Sequence, residues 1–368
     1  MLKYCGHKLA KFSMLSDAAK NVLWRAQRIR AGFGPHGLIL IYHRIAEPQA
    51  DPWNMAVSPA RFEAQMAVLK QYAVPRTMSG LAQHISTSGG SDRSVAVTFD
   101  DGYVDNLTHA LPILQRHQIP ATVFVISSAI GQPNAFWWDL LKRVFLESPQ
   151  LPKNLTLSSG EQRHTFDLGS SATLDASDLA QNASWRADLT SAQTGRQQAF
   201  LDVWAHMLEL SPKGQAQAAH EVTTWAGLSD AKLRPSDGRP MDCDELLQLS
   251  GSPLIEIGGH THTHADLSRL TPEQTSQELV QGRQILKELT NQPISSFAYP
   301  YGRYAGHTSD QIKQTGFACA GWSRPGLVVP SSDTLTLPRQ QIVDMDGASF
   351  ETLMASVFGC PLGFSGSA

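Results

Sequence analysis

From residue 37 onward the chain alternates between short continuous apolar runs and longer stretches in which apolar residues return every three or four positions. Gly37–His43 (GLILIYH), Val95–Phe99 (VAVTF) and Ala121–Ile126 (ATVFVI) are runs of the first kind. Short and unbroken, they read as strands buried on both faces. Leu254–Ile257 (LIEI) and runs around Ser296–Tyr299, Phe317–Ala320 and Leu335–Val343 continue the series. Between them, Ser58-Pro59 supplies an N-cap and a first-turn proline for a helix lined by Phe62, Met66 and Leu69. Asn106–His117 reads as a second helix. A long third helix runs from Thr271 to Asn291, with Thr271 as cap, Pro272 next and Gln274 at the capping-box position. Strands separated by helices imply a parallel sheet or barrel.

Residues 134–250 break this rhythm. Phe136–Glu147 and Ala192–Ala226 keep a helical period, whereas Leu151–Ser191 is rich in Ser, Thr, Asn and Asp. Trp137, Trp138, Trp185, Trp204 and Trp225 are too many large apolar groups for an unfolded spacer. The segment therefore reads as a folded insertion, mainly helical and irregular.

Composition narrows the class. The 368 residues are 42% apolar and only 17% charged, with a net charge of −3. Disorder needs the opposite balance, and a near-neutral chain has no global field for nucleic acid. The cysteines (Cys5, Cys243, Cys319, Cys360) are scattered, with no Cys-x-x-Cys pair, which suits reduced thiols. No run approaches the roughly 18 apolar residues that span a bilayer, and no apolar signal core opens the chain. The expected location is cytoplasmic. Residues 1–35 depart from the neutral average, with seven basic side chains against Asp17 alone. Leu15, Ala18, Ala19, Val22, Leu23 and Ala26 fall at helical spacing. A basic amphipathic helix is expected there, either packed on the domain or touching the inner face of a membrane.

Two segments carry chemistry, both at the ends of expected strands. Thr98-Phe99-Asp100-Asp101-Gly102-Tyr103 places adjacent carboxylates where a buried strand ends, and Gly102 permits a sharp turn. Mutual repulsion calls for a cation or a proton beside at least one of them. Taken alone, an acidic β-turn would look the same. Gly258-Gly259-His260-Thr261-His262-Thr263-His264 places three imidazoles at alternate positions after LIEI, and imidazole ligates zinc and similar metals. A fully extended segment would put all three on one face. A turn after His260 would require only the outer pair to converge. An Asp with two His makes an N₂O donor set with positions left for water and substrate.

Together, TFDDG and GGHTHTHADLSRL resemble the first two signature motifs of the polysaccharide deacetylases, the carbohydrate esterase family containing the NodB-homology domain. The resemblance implies a distorted (β/α) barrel of about seven parallel strands. It implies Asp100 as general base, and Asp101, His260 and His264 as ligands of a divalent metal. Zinc is expected first, with cobalt, manganese or nickel as substitutes. His262 falls where the family has a non-ligand residue. Phe297-Ala298-Tyr299-Pro300-Tyr301-Gly302 resembles the third motif, a wall of the active-site groove, so Tyr299, Pro300 and Tyr301 become candidate substrate contacts, and the backbone N–H of Tyr103 a candidate donor to the oxyanion that forms during hydrolysis.

Two departures stand out. The family's third motif carries an arginine that orients the catalytic aspartate, but Ser295 and Ser296 precede Phe297 here. Arg339 is the first candidate to replace it and Arg303 the second. The C-terminal Leu-x-His motif that supplies the general acid is also absent. Ile41-Tyr42-His43-Arg44 instead resembles the N-terminal Tyr-His segment of the circularly permuted branch, which includes enzymes acting on poly-N-acetylglucosamine, and His43 becomes the candidate acid.

The implied reaction is hydrolysis of an N-acetyl group on an amino sugar, in a glycan or a lipid- or nucleotide-linked precursor. A deformylase or another sugar amidohydrolase is the neighbouring alternative, and a carbohydrate-binding protein with a weak site the alternative of another class. The expected organisation is a basic helical segment (1–36), a first barrel half (37–133), the insertion (134–250), a second barrel half (251–345) and a C-terminal helix and tail (346–368).

Overall fold

The computed structural model describes residues 36–87, 93–132, 136–159, 162–228 and 238–362. The basic segment at 1–35, with its expected membrane-facing helix, lies outside the described residues.

Among the described residues eight strands run in succession through the nine-stranded central sheet: β1 (His36–Tyr42), β2 (Arg93–Phe99), β3 (Ala121–Val125), β4 (Ile255–Gly259), β5 (Ser296–Ala298), β6 (Cys319–Trp322), β7 (Leu337–Pro338) and β8 (Gln340–Gln341), while the ninth, Val74–Arg76, pairs with β2 off that path. Every neighbouring pair is parallel. Along the sheet the order is β7-β6-β5-β4-β3-β2-β1-β8. Its two end strands are consecutive in the chain and separated only by Arg339. One short run thus pairs with β6 through Leu337–Pro338 and with β1 through Gln340–Gln341, which closes the sheet into the expected (β/α) barrel. All seven residues of β1 are buried, which explains why this strand shows no apolar–polar alternation.

Helices cover the barrel where the apolar periodicity places them. The helix α1 (Pro59–Tyr72) buries Phe62, Met66 and Leu69, and α2 (Met78–Thr87) packs Met78, Leu81 and Ile85 with Ile39, Ala96 and Phe124 of the strands. The long α3 (Pro272–Thr290) has a complete capping box between Thr271 and Gln274. The C-terminal helix α4 spans Gly347–Phe358. Among the described residues, no helix is long and apolar enough to cross a membrane.

The chain divides into two compact units. The barrel belongs to one of them, which includes Ala56–Gly131 and everything from Met241 onward. The other comprises Pro48–Met55 and Gln132–Pro240. Its core includes Phe145, Phe200, Val203 and Met207. It is more regular than its polar composition suggests. Asn154–Ser159 and Gln162–Asp167 pair as an antiparallel hairpin, in which buried Leu155 and Leu157 flank exposed Thr156.

Candidate active site

Parallel strands deliver their following loops to one end of the barrel, the end where sites in such folds assemble. His43 follows β1, Asp100 and Asp101 follow β2, His260 to His264 follow β4, and Tyr299 to Tyr301 follow β5. The register sets Tyr42 opposite Phe99, and the Asp100 N–H donates to the Tyr42 carbonyl at 3.0 Å. The histidine and the two aspartates therefore leave neighbouring strands at one level.

Asp101, His260 and His264 each present one donor atom, and these atoms lie within 4.8 Å of one another. Both His260 Nε2 and His264 Nε2 face the same Asp101 oxygen, at 3.4 and 3.5 Å. Two ligands held about 2.0–2.1 Å from one tetrahedral ion would themselves be about 3.4 Å apart. His260 Nδ1 donates to the Ala298 carbonyl at 2.8 Å. In the neutral ring this leaves Nε2 as a lone pair turned toward a carboxylate, an arrangement that suits a divalent cation between them. Burial depresses His264 to about 3, only partly offset by Asp101, so its ring is neutral. Burial opposes charge on His260 too, but the hydrogen bond to Asp101, the charges of Asp100 and Asp101 and the Ala298 carbonyl together outweigh it and the pKa rises. Asp101 is lowered, since the histidines around it outweigh its burial.

The backbone is strained at the same place. Asp101 (φ 74°), Thr261 (φ 62°), His264 (φ 59°) and Tyr301 (φ 57°) all occupy the left-handed region. Each costs on the order of 1–2 kcal/mol for a side chain other than glycine. Glycine follows two of these residues, as Gly102 after Asp101 and Gly302 after Tyr301, and both glycines have positive φ.

Asp100 is gripped by Arg339. Nη1 donates to Oδ1 at 2.7 Å and Nη2 to Oδ2 at 2.9 Å, a two-pronged pair. Nη1 also donates to Thr98 Oγ1 at 3.2 Å. Arg339 is 0% exposed and Asp100 is 3% exposed. Burial alone would raise Asp100, but the guanidinium and His260 carry it well below the usual carboxylate range. Space for the arginine comes from Gly321, where a Cβ would sit 2.6 Å from Arg339 Cδ. The other candidate, Arg303, instead pairs with Asp266 at 2.9 Å.

His43 sits in the same electrostatic cluster as Asp100, Asp101, His260 and Arg339. Burial lowers its pKa, with the two aspartates opposing, and its buried Nδ1 has no partner among the described residues. Its backbone is stapled by residues that the sequence analysis did not single out. Asn106 Nδ2 donates to the His43 carbonyl at 2.9 Å, and Asp105 accepts from Ile45 N–H and Arg44 Nε, both at 3.0 Å. Asn106–Ala110 is a π-helical turn, a wide turn that recurs at functional sites. The readable signal was an acidic-amide pair, Asp105-Asn106, shortly after the Asp100-Asp101 pair.

The expected aromatic contacts separate. Tyr301 is part-exposed and its ring lies 4.6 Å from that of His264. Tyr299 is turned inward instead, 1% exposed, with its hydroxyl donating to the Leu335 carbonyl at 2.7 Å. Pro300 is buried. Tyr103 is 3% exposed beneath the Arg44 guanidinium, 5.1 Å from its ring centre. The Tyr299 side chain is thus core, which corrects the expectation that it lines the groove, whereas the expectation for Tyr103 concerns its backbone N–H and is untouched by the burial of its ring. His262 stays outside the three-donor cluster, with Nδ1 2.8 Å from Ser127 Oγ.

The comparisons with known proteins follow the same residues. A family model described as Polysaccharide deacetylase matches residues 87–151 and 204–320, which include both aspartates, the outer histidines and Tyr301. His43 and Arg339 lie outside the matched residues. A Bacillus subtilis (strain 168) protein bearing the provisional name polysaccharide deacetylase is 20% identical over 324 residues, covering 87% of this chain and 76% of its own. The poly-beta-1,6-N-acetyl-D-glucosamine N-deacetylase of Staphylococcus aureus is 32% identical over 91 residues, a match spanning 24% of this chain and 31% of that enzyme. The solved structure of IcaB from Ammonifex degensii superposes with a TM-score of 0.52 at 18% identity, covering 88% of this chain and 97% of that one. With the family model, the barrel and the motif order in agreement, the chain belongs to the polysaccharide deacetylase family.

Proposed function

We propose that this protein hydrolyses N-acetyl groups on an amino-sugar glycan or glycan precursor, releasing acetate and leaving a free amine. The observation that carries this reading is one carboxylate, Asp100, held ionised by Arg339 beside a separate Asp101–His260–His264 donor set. A divalent cation held by those three residues, zinc before cobalt, manganese or nickel, would polarise the amide carbonyl and acidify a water.

The chain's own groups do the remaining work. Asp100 takes a proton from the water as its oxygen bonds to the carbonyl carbon. Arg339 occupies both carboxylate oxygens from the barrel interior and so keeps that base in one position. His43 donates a proton to the amine nitrogen as the C–N bond breaks. Its buried ring is lowered in pKa, so the nearby aspartates supply what favours its charged form. Tyr301 offers a part-exposed ring for a sugar face or the acetyl methyl group.

For the substrate, the staphylococcal relative's name makes β-linked N-acetylglucosamine oligomers the first to test, with lipid- and nucleotide-linked N-acetyl sugars as the precursor class. A precursor substrate would agree with a cytoplasmic enzyme resting on the inner membrane face through residues 1–36. The deciding experiment measures acetate release and bound metal for the wild type and Asp100→Asn. Acetate from the wild type alone, with equal metal in both, supports the reading. A fully active Asp100→Asn removes Asp100 as base, and tight metal without hydrolysis of any N-acetyl glycan favours a binding protein.

A further inference from the structure

The loop that carries His260 and His264 contains two left-handed residues, Thr261 and His264, and something must hold it in that shape. On α3, Glu278 accepts three hydrogen bonds from this loop. Its Oε2 accepts from His262 N–H at 2.9 Å and Thr263 N–H at 2.8 Å, and its Oε1 from the Thr263 hydroxyl at 2.7 Å. One helical turn further on, Gly282 lets the helix backbone approach the same peptide. A Cβ there would sit 3.0 Å from both His262 N and Thr261 C, and 3.1 Å from Thr261 O. From the other side, Ser128 N–H donates to the His262 carbonyl at 2.9 Å.

We propose that Glu278 is a positioning residue for the cation site: its carboxylate fixes the 261–263 backbone so that His260 and His264 converge on Asp101. Glu278 does not belong to the donor set and acts only through the loop. A carboxylate suits the task because its two oxygens accept from three donors that otherwise have to be met by water. Gly282 supplies the close approach that brings the carboxylate within reach. The inference rests on the proposed cation site.

The test uses the full chain freed of metal, as wild type, Glu278→Gln, Glu278→Ala and Gly282→Ala. Zn²⁺ affinity is measured by competition with a chromophoric chelator, ligand geometry by the visible spectrum of the Co²⁺ complex, and fold by melting of the metal-free protein. We expect Glu278→Gln to bind Zn²⁺ about tenfold to a hundredfold more weakly, the usual range for a lost outer partner. Its Co²⁺ spectrum should change while the metal-free melting temperature stays close to wild type. Glu278→Ala should bind more weakly still, and Gly282→Ala should weaken binding by displacing the helix. Wild-type affinity and spectrum in Glu278→Gln overturn the inference, as does weakened binding that only accompanies an equal loss of metal-free stability. If Glu278→Ala fails to fold, Glu278→Gln decides. A wild-type protein that binds no Zn²⁺ overturns the cation site itself.

Discussion

Arg196 and Arg339 are both fully buried, one in the unit containing Gln132–Pro240 and the other in the barrel, and their surroundings are opposite. Arg196 donates to backbone carbonyls, those of Ser171 (2.6 Å), Ala172 (2.7 Å), Ser148 (3.1 Å) and Phe145 (3.2 Å). Burial lowers it to about 10, with Asp178 opposing. Arg339 instead meets a buried carboxylate through both of its terminal nitrogens. A buried cation facing neutral carbonyls ties chain segments together. One facing a carboxylate fixes a charge at a chosen point, which a reaction can use.

The sharpest way to break this comparison is at the carboxylate. Asp100→Asn should lower acetate release by about 10³-fold, within the range of a lost general base, while leaving bound zinc unchanged by elemental analysis. Arg339→Lys comes next. It keeps the charge and loses the fork, so kcat should fall about a hundredfold through misplacement of Asp100, with KM little changed in steady-state kinetics. If Arg339→Lys matched the wild type, a point charge would suffice and the two-pronged geometry would be incidental.

On the other side, Arg196→Met should cost about 3–5 kcal/mol in denaturant unfolding, because several buried carbonyls lose their donor at about 1–3 kcal/mol each. The kcat of the molecules that remain folded should not change. A catalytic defect without a stability defect would contradict the division of labour.

The smallest effect concerns His206, whose ring lies 4.5 Å from that of His164. Burial first and His164 second lower its pKa below the ordinary 6.5. The unfolded chain therefore takes up the proton more readily. The resulting stability is complete above about pH 6.5 and declines as pH falls below that value. Thermal melts between pH 7.5 and 5.5 should show a shallower decline for His206→Gln than for the wild type, and parallel curves would rule this source out.

Much of the barrel was legible because its signals are local. Continuous apolar runs marked β1, β2 and β3, and the Thr271–Gln274 capping box marked the start of α3. The hairpin at 154–167 was missed: Leu155 and Leu157 alternate with polar residues, but the surrounding Ser and Thr masked the period. The 335–343 run was legible as a single strand. Its division at Arg339 was not, because that break depends on which two strands the run joins. The donor set of Asp101, His260 and His264 came from the resemblance of two motifs, each of which a strand end delivers. Tyr299 misled, since an aromatic beside a motif can face inward as easily as outward.

By itself the sequence determined the barrel's alternation of strands and helices and the two segments that carry the adjacent carboxylates and the histidines, on whose resemblance the family reading rested. These follow from residue type and spacing over a few positions. Only the tertiary structure decided that Arg339, more than two hundred residues from Asp100, holds it, and that Arg303 does not. It alone showed Glu278 and Gly282 bracing the histidine loop, and Asp105 and Asn106 stapling His43. Such partners are chosen by barrel closure and helix approach, which bring distant residues within 3 Å and leave no periodic trace in the chain.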